Sequence, residues 1–273
     1  MNFLDGLLLG VLQGLTEFLP VSSSGHLVLA ESFLELPVED LLGFDVAVHF
    51  GTLLAIFVYF WKDFRDLLVA FWKTIVNVKR REVLDDVTVK GQKMIVLLIV
   101  CTIPAVIAAL LLGDMLETTF RGVNSVAIML LVVAVYFVLA EFIKKRVKPS
   151  GLTFWKALII GIAQAFALIP GVSRSGSTIA TGIIQGIDRH EAARFSFLLG
   201  SVAISAATVL SVYKVLSGDL YLPGWDIVFV GVLSSFLSGY LAVFVLMQFL
   251  KKNSLIVFSG YLAILSLSLL IFY

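Results

Sequence analysis

Apolar positions run along this chain in long stretches with few polar interruptions, not in alternation. Six stretches lie near 44–61, 92–112, 122–143, 190–213, 226–249 and 254–272. Each is long enough to cross about 30 Å of hydrocarbon as a helix. Two further apolar runs, 3–19 and 152–169, break into segments rich in hydroxyls, glycine and proline, then resume as short, mostly apolar stretches at 27–34 and 178–187. Lipid offers the backbone no hydrogen-bond partner, so a loop of this kind is tolerated at membrane depth only when protein or a wet cavity surrounds it. The pattern predicts an all-α integral membrane protein with two re-entrant helix–loop–helix hairpins among six spans.

The two broken runs are copies of each other. Gly10, Gln13, Val21, Ser22, Ser24 and Gly25 recur, without a gap, as Gly161, Gln164, Val172, Ser173, Ser175 and Gly176. Each half of the chain, 1–143 and 152–273, then holds one hairpin and three spans. An odd number of spans inverts the second half, the layout of inverted-topology repeats whose site lies near the midplane between them. We read 1–273 as a single membrane domain.

Composition agrees with lipid as the main solvent. The 273 residues are 60% hydrophobic and only 14% charged, with a mean hydropathy of +1.04, too little charge to cover a soluble domain. The net charge of +1 gives no reason to expect nucleic acid. One cysteine, Cys101, excludes an intrachain disulfide or a cysteine metal cluster. The N-terminus, with Asp5 early and no basic region before it, does not read as a signal peptide.

Lysine and arginine crowd the connections 62–93 and 144–156 and recur at Lys251 and Lys252, whereas 31–45 holds Glu31, Glu35, Glu39, Asp40 and Asp45, and 113–121 holds Asp114, Glu117 and a single Arg121. Positive residues stay cytoplasmic, so the first hairpin opens outward and the second toward the cytoplasm. The segment 63–90, with Phe64, Phe71 and Trp72 among its lysines, reads as an interfacial helix plus a cytoplasmic loop.

Candidate chemistry sits in the two loops. Gln13 and Glu17 are four apart and share a helix face, and an ionisable group deep in an apolar run is costly and usually functional. Gly6, Gly10 and Gly14 make a small-residue stripe suited to close helix packing. Ser22, Ser23 and Ser24 precede His26 at the start of an apolar stretch, where free N–H groups and the positive helix end favour an anion. A neutral His26 there would serve as nucleophile or base. In the second loop Arg174 offers a planar fork of donors suited to phosphate, flanked by Ser173, Ser175, Ser177 and Thr178. His49 reads as a hydrogen-bonded packing residue. Arg189, His190, Glu191 and Arg194 read mainly as interfacial anchors, with Arg194 also placed to face the site, and Asp188 as helix-end punctuation.

At these residues the chain resembles the undecaprenyl-pyrophosphate phosphatase family, the bacitracin-resistance proteins. Gln13-Gly-Leu-Thr-Glu17 fits the family's Glu/Gln-x-x-x-Glu motif, with Gln in the first position. Phe18 to His26 matches its first loop, and Pro170-Gly-Val-Ser-Arg-Ser-Gly-Ser-Thr178 its second. The resemblance implies a multi-pass enzyme of the bacterial cell (inner) membrane that removes the terminal phosphate of undecaprenyl diphosphate. It also implies a divalent cation, magnesium or calcium, with Glu17 as its expected ligand. Glu17, His26, Ser23 and Arg174 become the expected catalytic residues. Gln13, Ser22, Ser173, Ser175, Ser177 and Thr178 become the expected substrate-binding set. The partners expected are a polyprenyl diphosphate lipid, the bilayer and a second copy of the chain. The nucleophile stays open between His26, Ser23 and water. The competing class is a polyprenyl-phosphate carrier or flippase, since inverted repeats are also transporter architecture.

Overall fold

The structure, a computed structural model, describes residues 1–36, 41–80, 86–120 and 122–273. Glu39, Asp40, Arg81 and Arg121, which entered the charge pattern, lie outside the described residues, as do the side chains of Lys79, Arg80, Asp114 and Glu117. Among the described residues every regular element is a helix. α1 (Phe3–Phe18) and α2 (Ser23–Phe33) form the first hairpin, followed by α3 (Leu41–Tyr59), α4 (Trp61–Arg80), α5 (Asp86–Thr119) and α6 (Val123–Lys144). α7 (Phe154–Phe166) and α8 (Arg174–Ile184) form the second, followed by α9 (Arg189–Ser217), α10 (Trp225–Phe249) and α11 (Ile256–Phe272).

Five helices, α3, α5, α6, α9 and α10, are long and apolar enough to cross a membrane. The sixth expected span is α11, apolar throughout but 17 residues long. Local sequence explains the breaks between helices. α1 opens on a capping box between Asn2 and Asp5 and stops at Leu19, whose extended backbone suits the residue before Pro20. α2 and α8 begin four residues earlier than the apolar pattern suggests. Ser22 and Ser173 each cap the amide of the residue three positions on, Gly25 at 3.2 Å and Gly176 at 3.0 Å. The hydroxyl-rich residues therefore form the first turns of helices, not loops before them.

The hairpin helices pack through glycine. α1 lies along α10, and α7 lies along α5. A Cβ added at Gly10 would run into Ser234 and the Gly231 backbone, and one at Gly161 into the Cys101 backbone. Equivalent glycines in the two copies thus seat their hairpins on helices that hold corresponding places in the two halves. Hydroxyls join other helix pairs: Ser259 and Ser266 of α11 each donate at 2.7 Å to carbonyls of α6, those of Ala134 and Ala127. Buried Glu141 of α6 ties three helices together, accepting from Arg189 Nε at 2.9 Å and from the Leu255 amide at 3.0 Å. α4 is strongly amphipathic, and Leu68, Phe71 and Trp72 are exposed on it.

Candidate active site

Glu17 is the point where both hairpins and a third helix meet. It lies one turn after Gln13 on α1, and Gln13 Nε2 donates to its Oε2 at 3.1 Å. Ser23 Oγ donates to the same oxygen at 2.6 Å. Across the repeat boundary, Arg174 Nη2 donates to Oε1 in an ion pair. From α3, His49 places Nε2 3.6 Å from Oε2. Its other nitrogen, Nδ1, lies 2.6 Å from the Asp45 carbonyl, which only accepts, so Nδ1 carries the proton.

Ser23 and Arg174 are the first helical residues of α2 and α8 and occupy equivalent places in the two copies. Two helix N-termini therefore converge on one carboxylate. The first turn of each leaves amide N–H groups without an intrahelical acceptor, and the positive helix ends favour an anion there. The loops touch directly, since a Cβ on Gly25 would stand 3.4 Å from the Gly171 Cα. Ser22 bends the first loop with φ 71, a left-handed conformation that serine adopts at some cost, and the second loop places its positive φ at Gly171 instead.

Two polar atoms at this junction are buried with no hydrogen-bond partner, Gln13 Oε1 and Arg174 Nη1. An unpaired donor on a buried guanidinium is costly and calls for a ligand. The Glu17 side chain is only 6% exposed and that of Arg174 17%, while Ser23, which bonds Glu17, is partly exposed, so the junction is reachable from outside the fold.

The sequence model of the family described as bacitracin resistance protein BacA matches residues 6–268. The chain belongs to the BacA family. Among curated relatives, the undecaprenyl-diphosphatase of Methanosphaera stadtmanae is 39% identical over 274 residues, covering 98% of this chain and 96% of the relative. That of Rubrobacter xylanophilus is 39% identical over 263 residues, covering 96% and 94%. That of Halothermothrix orenii is 37% identical over 272 residues, covering 99% and 98%.

Within this BacA fold the expected site residues separate into groups. Gln13, Glu17, Ser23 and Arg174 come together. Ser22 and Ser173 are consumed as helix caps, and Ser175 lies 3.3 Å from Ser173 and 3.5 Å from the Leu19 carbonyl. Thr178 Oγ1 faces the Arg174 carbonyl at 2.8 Å and Ser196 at 2.6 Å. These hydroxyls shape the loops that present Arg174. Ser177 lines a different space, an apolar cavity of about 400 Å³ between α6, α7 and α8. His26 does not reach Glu17. Its Nδ1 donates to the Ser22 carbonyl at 2.8 Å and its Nε2 accepts from Tyr261 of α11 at 2.7 Å, which occupies both ring nitrogens.

Sequence reasoning took His49 for a hydrogen-bonded packing residue, which its bond to Asp45 bears out without revealing that it faces Glu17, and it missed Tyr261 and Gly200. A signal for two of them was present: continuing the repeat offset past the loops sets His49 opposite Gly200. A Cβ at Gly200 would collide with the Arg174 guanidinium. One half thus places an imidazole where the other half clears room for the arginine.

Proposed function

We propose that the chain is an undecaprenyl-diphosphatase that hydrolyses undecaprenyl diphosphate to the monophosphate in the bacterial cell (inner) membrane. This returns the lipid carrier to peptidoglycan synthesis and confers bacitracin resistance. The observation that carries the reading is the meeting of Ser23, Glu17 and Arg174 from two hairpin N-termini, with one arm of the guanidinium unpaired. Family membership and the relatives' names support it. The packing of α1 on α10 and α7 on α5 supports reading 1–143 and 152–273 as inverted repeats with the headgroup held between them. The apolar cavity beside α8 supports a lateral place for part of the prenyl chain.

A divalent cation, magnesium or calcium, is the expected cofactor. The protein residues at the junction do not fit a resident ion. Oε1 of Glu17 is taken by Arg174 and Oε2 accepts from Ser23 and Gln13. Among the described residues no three His, Cys, Asp or Glu side chains gather. We place the cation on the lipid's own diphosphate.

The chain's residues perform the transfer as follows. Arg174 Nη1 and the free amides of the two helix starts hold oxygens of the terminal phosphate and stabilise charge as the phosphorus–oxygen bond breaks. Ser23 Oγ attacks the phosphorus while Glu17 takes its proton, the pairing of nucleophile, base and orienting groups expected of covalent catalysis. A charged carboxylate about 4 Å from a phosphate oxygen costs about 4 kcal/mol at an effective dielectric of about 20. Moving the serine proton onto Glu17 removes that repulsion as the attack proceeds. The prenyl monophosphate leaves with the electron pair of the broken bond.

The test is Ser23→Ala in purified protein. Turnover of a polyprenyl diphosphate falls at least ~10³-fold, as for loss of a nucleophile, while binding of the lipid persists. Full turnover in Ser23→Ala would overturn the assignment of the nucleophile.

A further inference from the structure

Glu17 has a neighbour that the transfer step above leaves without work. His49 Nε2 stands 3.6 Å from Glu17 Oε2, and its Nδ1–H is fixed on the Asp45 carbonyl. In the neutral ring that bond leaves a bare lone pair on Nε2, facing a carboxylate oxygen. Two acceptors in opposition repel unless something with a proton lies between them. The separation exceeds a hydrogen bond, yet one water molecule could span it, donating to Nε2 and lying against Oε2 once Ser23 Oγ is bonded to phosphorus and no longer donates to that oxygen. The Ser23 hydroxyl donates to that same Glu17 oxygen, so a water between His49 and Glu17 lies near the serine. His26 offers nothing comparable, because Ser22 and Tyr261 occupy both its nitrogens.

We propose that His49 is the base that activates the water which releases phosphate from Ser23. The proposal rests on the phosphatase reading and on Ser23 as nucleophile. In the release step the water oxygen bonds to phosphorus and the bond from phosphorus to Ser23 Oγ breaks. Oγ leaves with the electron pair and recovers its proton from Glu17, which took it in the first step. His49 Nε2 accepts the water proton and passes it to the departing phosphate or to bulk water. One water is consumed and one orthophosphate is formed for each lipid diphosphate. The groups that face this exchange are Glu17 and Gln13 of α1, Ser23 of α2 and Arg174 of α8, with Asp45 on the same helix as His49.

The test uses the full chain in detergent with undecaprenyl diphosphate. Two variants are compared with wild type. His49→Asn keeps a donor for the Asp45 carbonyl but has no basic nitrogen, and His49→Gln extends an amide toward Glu17. Turnover is measured alongside the mass of the intact protein quenched during the reaction. Both variants are expected to turn over about 10²-fold more slowly with lipid affinity kept, and to accumulate a phosphate on Ser23 that wild type holds only transiently. Wild-type turnover in either variant would overturn the proposal. So would slow turnover with no phosphorylated Ser23, because His49 would then act before the covalent stage. A wild type that releases no phosphate would instead remove the phosphatase reading, an outcome visible in the control alone.

Discussion

Glu17 accepts hydrogen bonds from residues on three helices, its own included, and faces His49 of a fourth. Gln13 is a turn away on the same helix, so that pairing follows from spacing alone. Ser23 and Arg174 reach Glu17 only because two loops turn back on themselves. No local pattern encodes that closure, although the repeat places both residues at matching positions. His49 and Tyr261 come from spans that read as uniform apolar runs, where a single polar residue resembles a packing residue until its partner is known. Gly200 tests the geometry at this scale. Gly200→Ala puts a methyl group where the Arg174 guanidinium lies and is expected to raise KM for the lipid at least ~10-fold, about 1.4 kcal/mol. Thermal unfolding of the same variant should show a loss no larger than the ~1–3 kcal/mol typical of added core volume. An unchanged KM would mean that the arginine does not hold the phosphate from that position.

The helices themselves were largely legible, because long apolar runs have few alternatives in a bilayer. Their starts were legible in part: the serines before His26 fall at a helix N-cap, as serine favours, but α2 and α8 begin at Ser23 and Arg174, inside the hydroxyl-rich segments and earlier than apolar periodicity places them. α11 met the expected position but is short for a span. The glycines at 10 and 161 were legible as packing residues, while the helices they meet came only from the tertiary arrangement. Gly10→Ala and Gly161→Ala should each destabilise the protein in detergent by about 1–3 kcal/mol, since both would strike backbone atoms of a neighbouring helix. Gly260→Ala, in α11 with nothing within 4 Å of the added Cβ, should be neutral or stabilise by roughly 0.5–1 kcal/mol. Melting curves of the three variants decide this, and equal behaviour at all three sites would contradict the packing account.

On the scale of the whole molecule, the chain uses duplication to build asymmetry. Each half supplies a hairpin whose helix N-terminus points at the same place, and the chemistry comes from where the copies differ. Glu17 stands opposite Leu168, Ser23 opposite Arg174 and His49 opposite Gly200. One half carries the carboxylate, hydroxyl and imidazole, and the other carries the guanidinium and the space it needs. A carrier needs an anion clamp, but it has no use for a serine hydrogen-bonded to a buried carboxylate. The most direct measurement is therefore phosphate release from undecaprenyl diphosphate by the purified protein in detergent, for wild type and Arg174→Ala, with and without magnesium or calcium. Wild type is expected to release phosphate, and Arg174→Ala to lose at least ~10²-fold of that rate. A wild type that binds the lipid and releases no phosphate with any cation would contradict the enzyme reading and leave the carrier in its place.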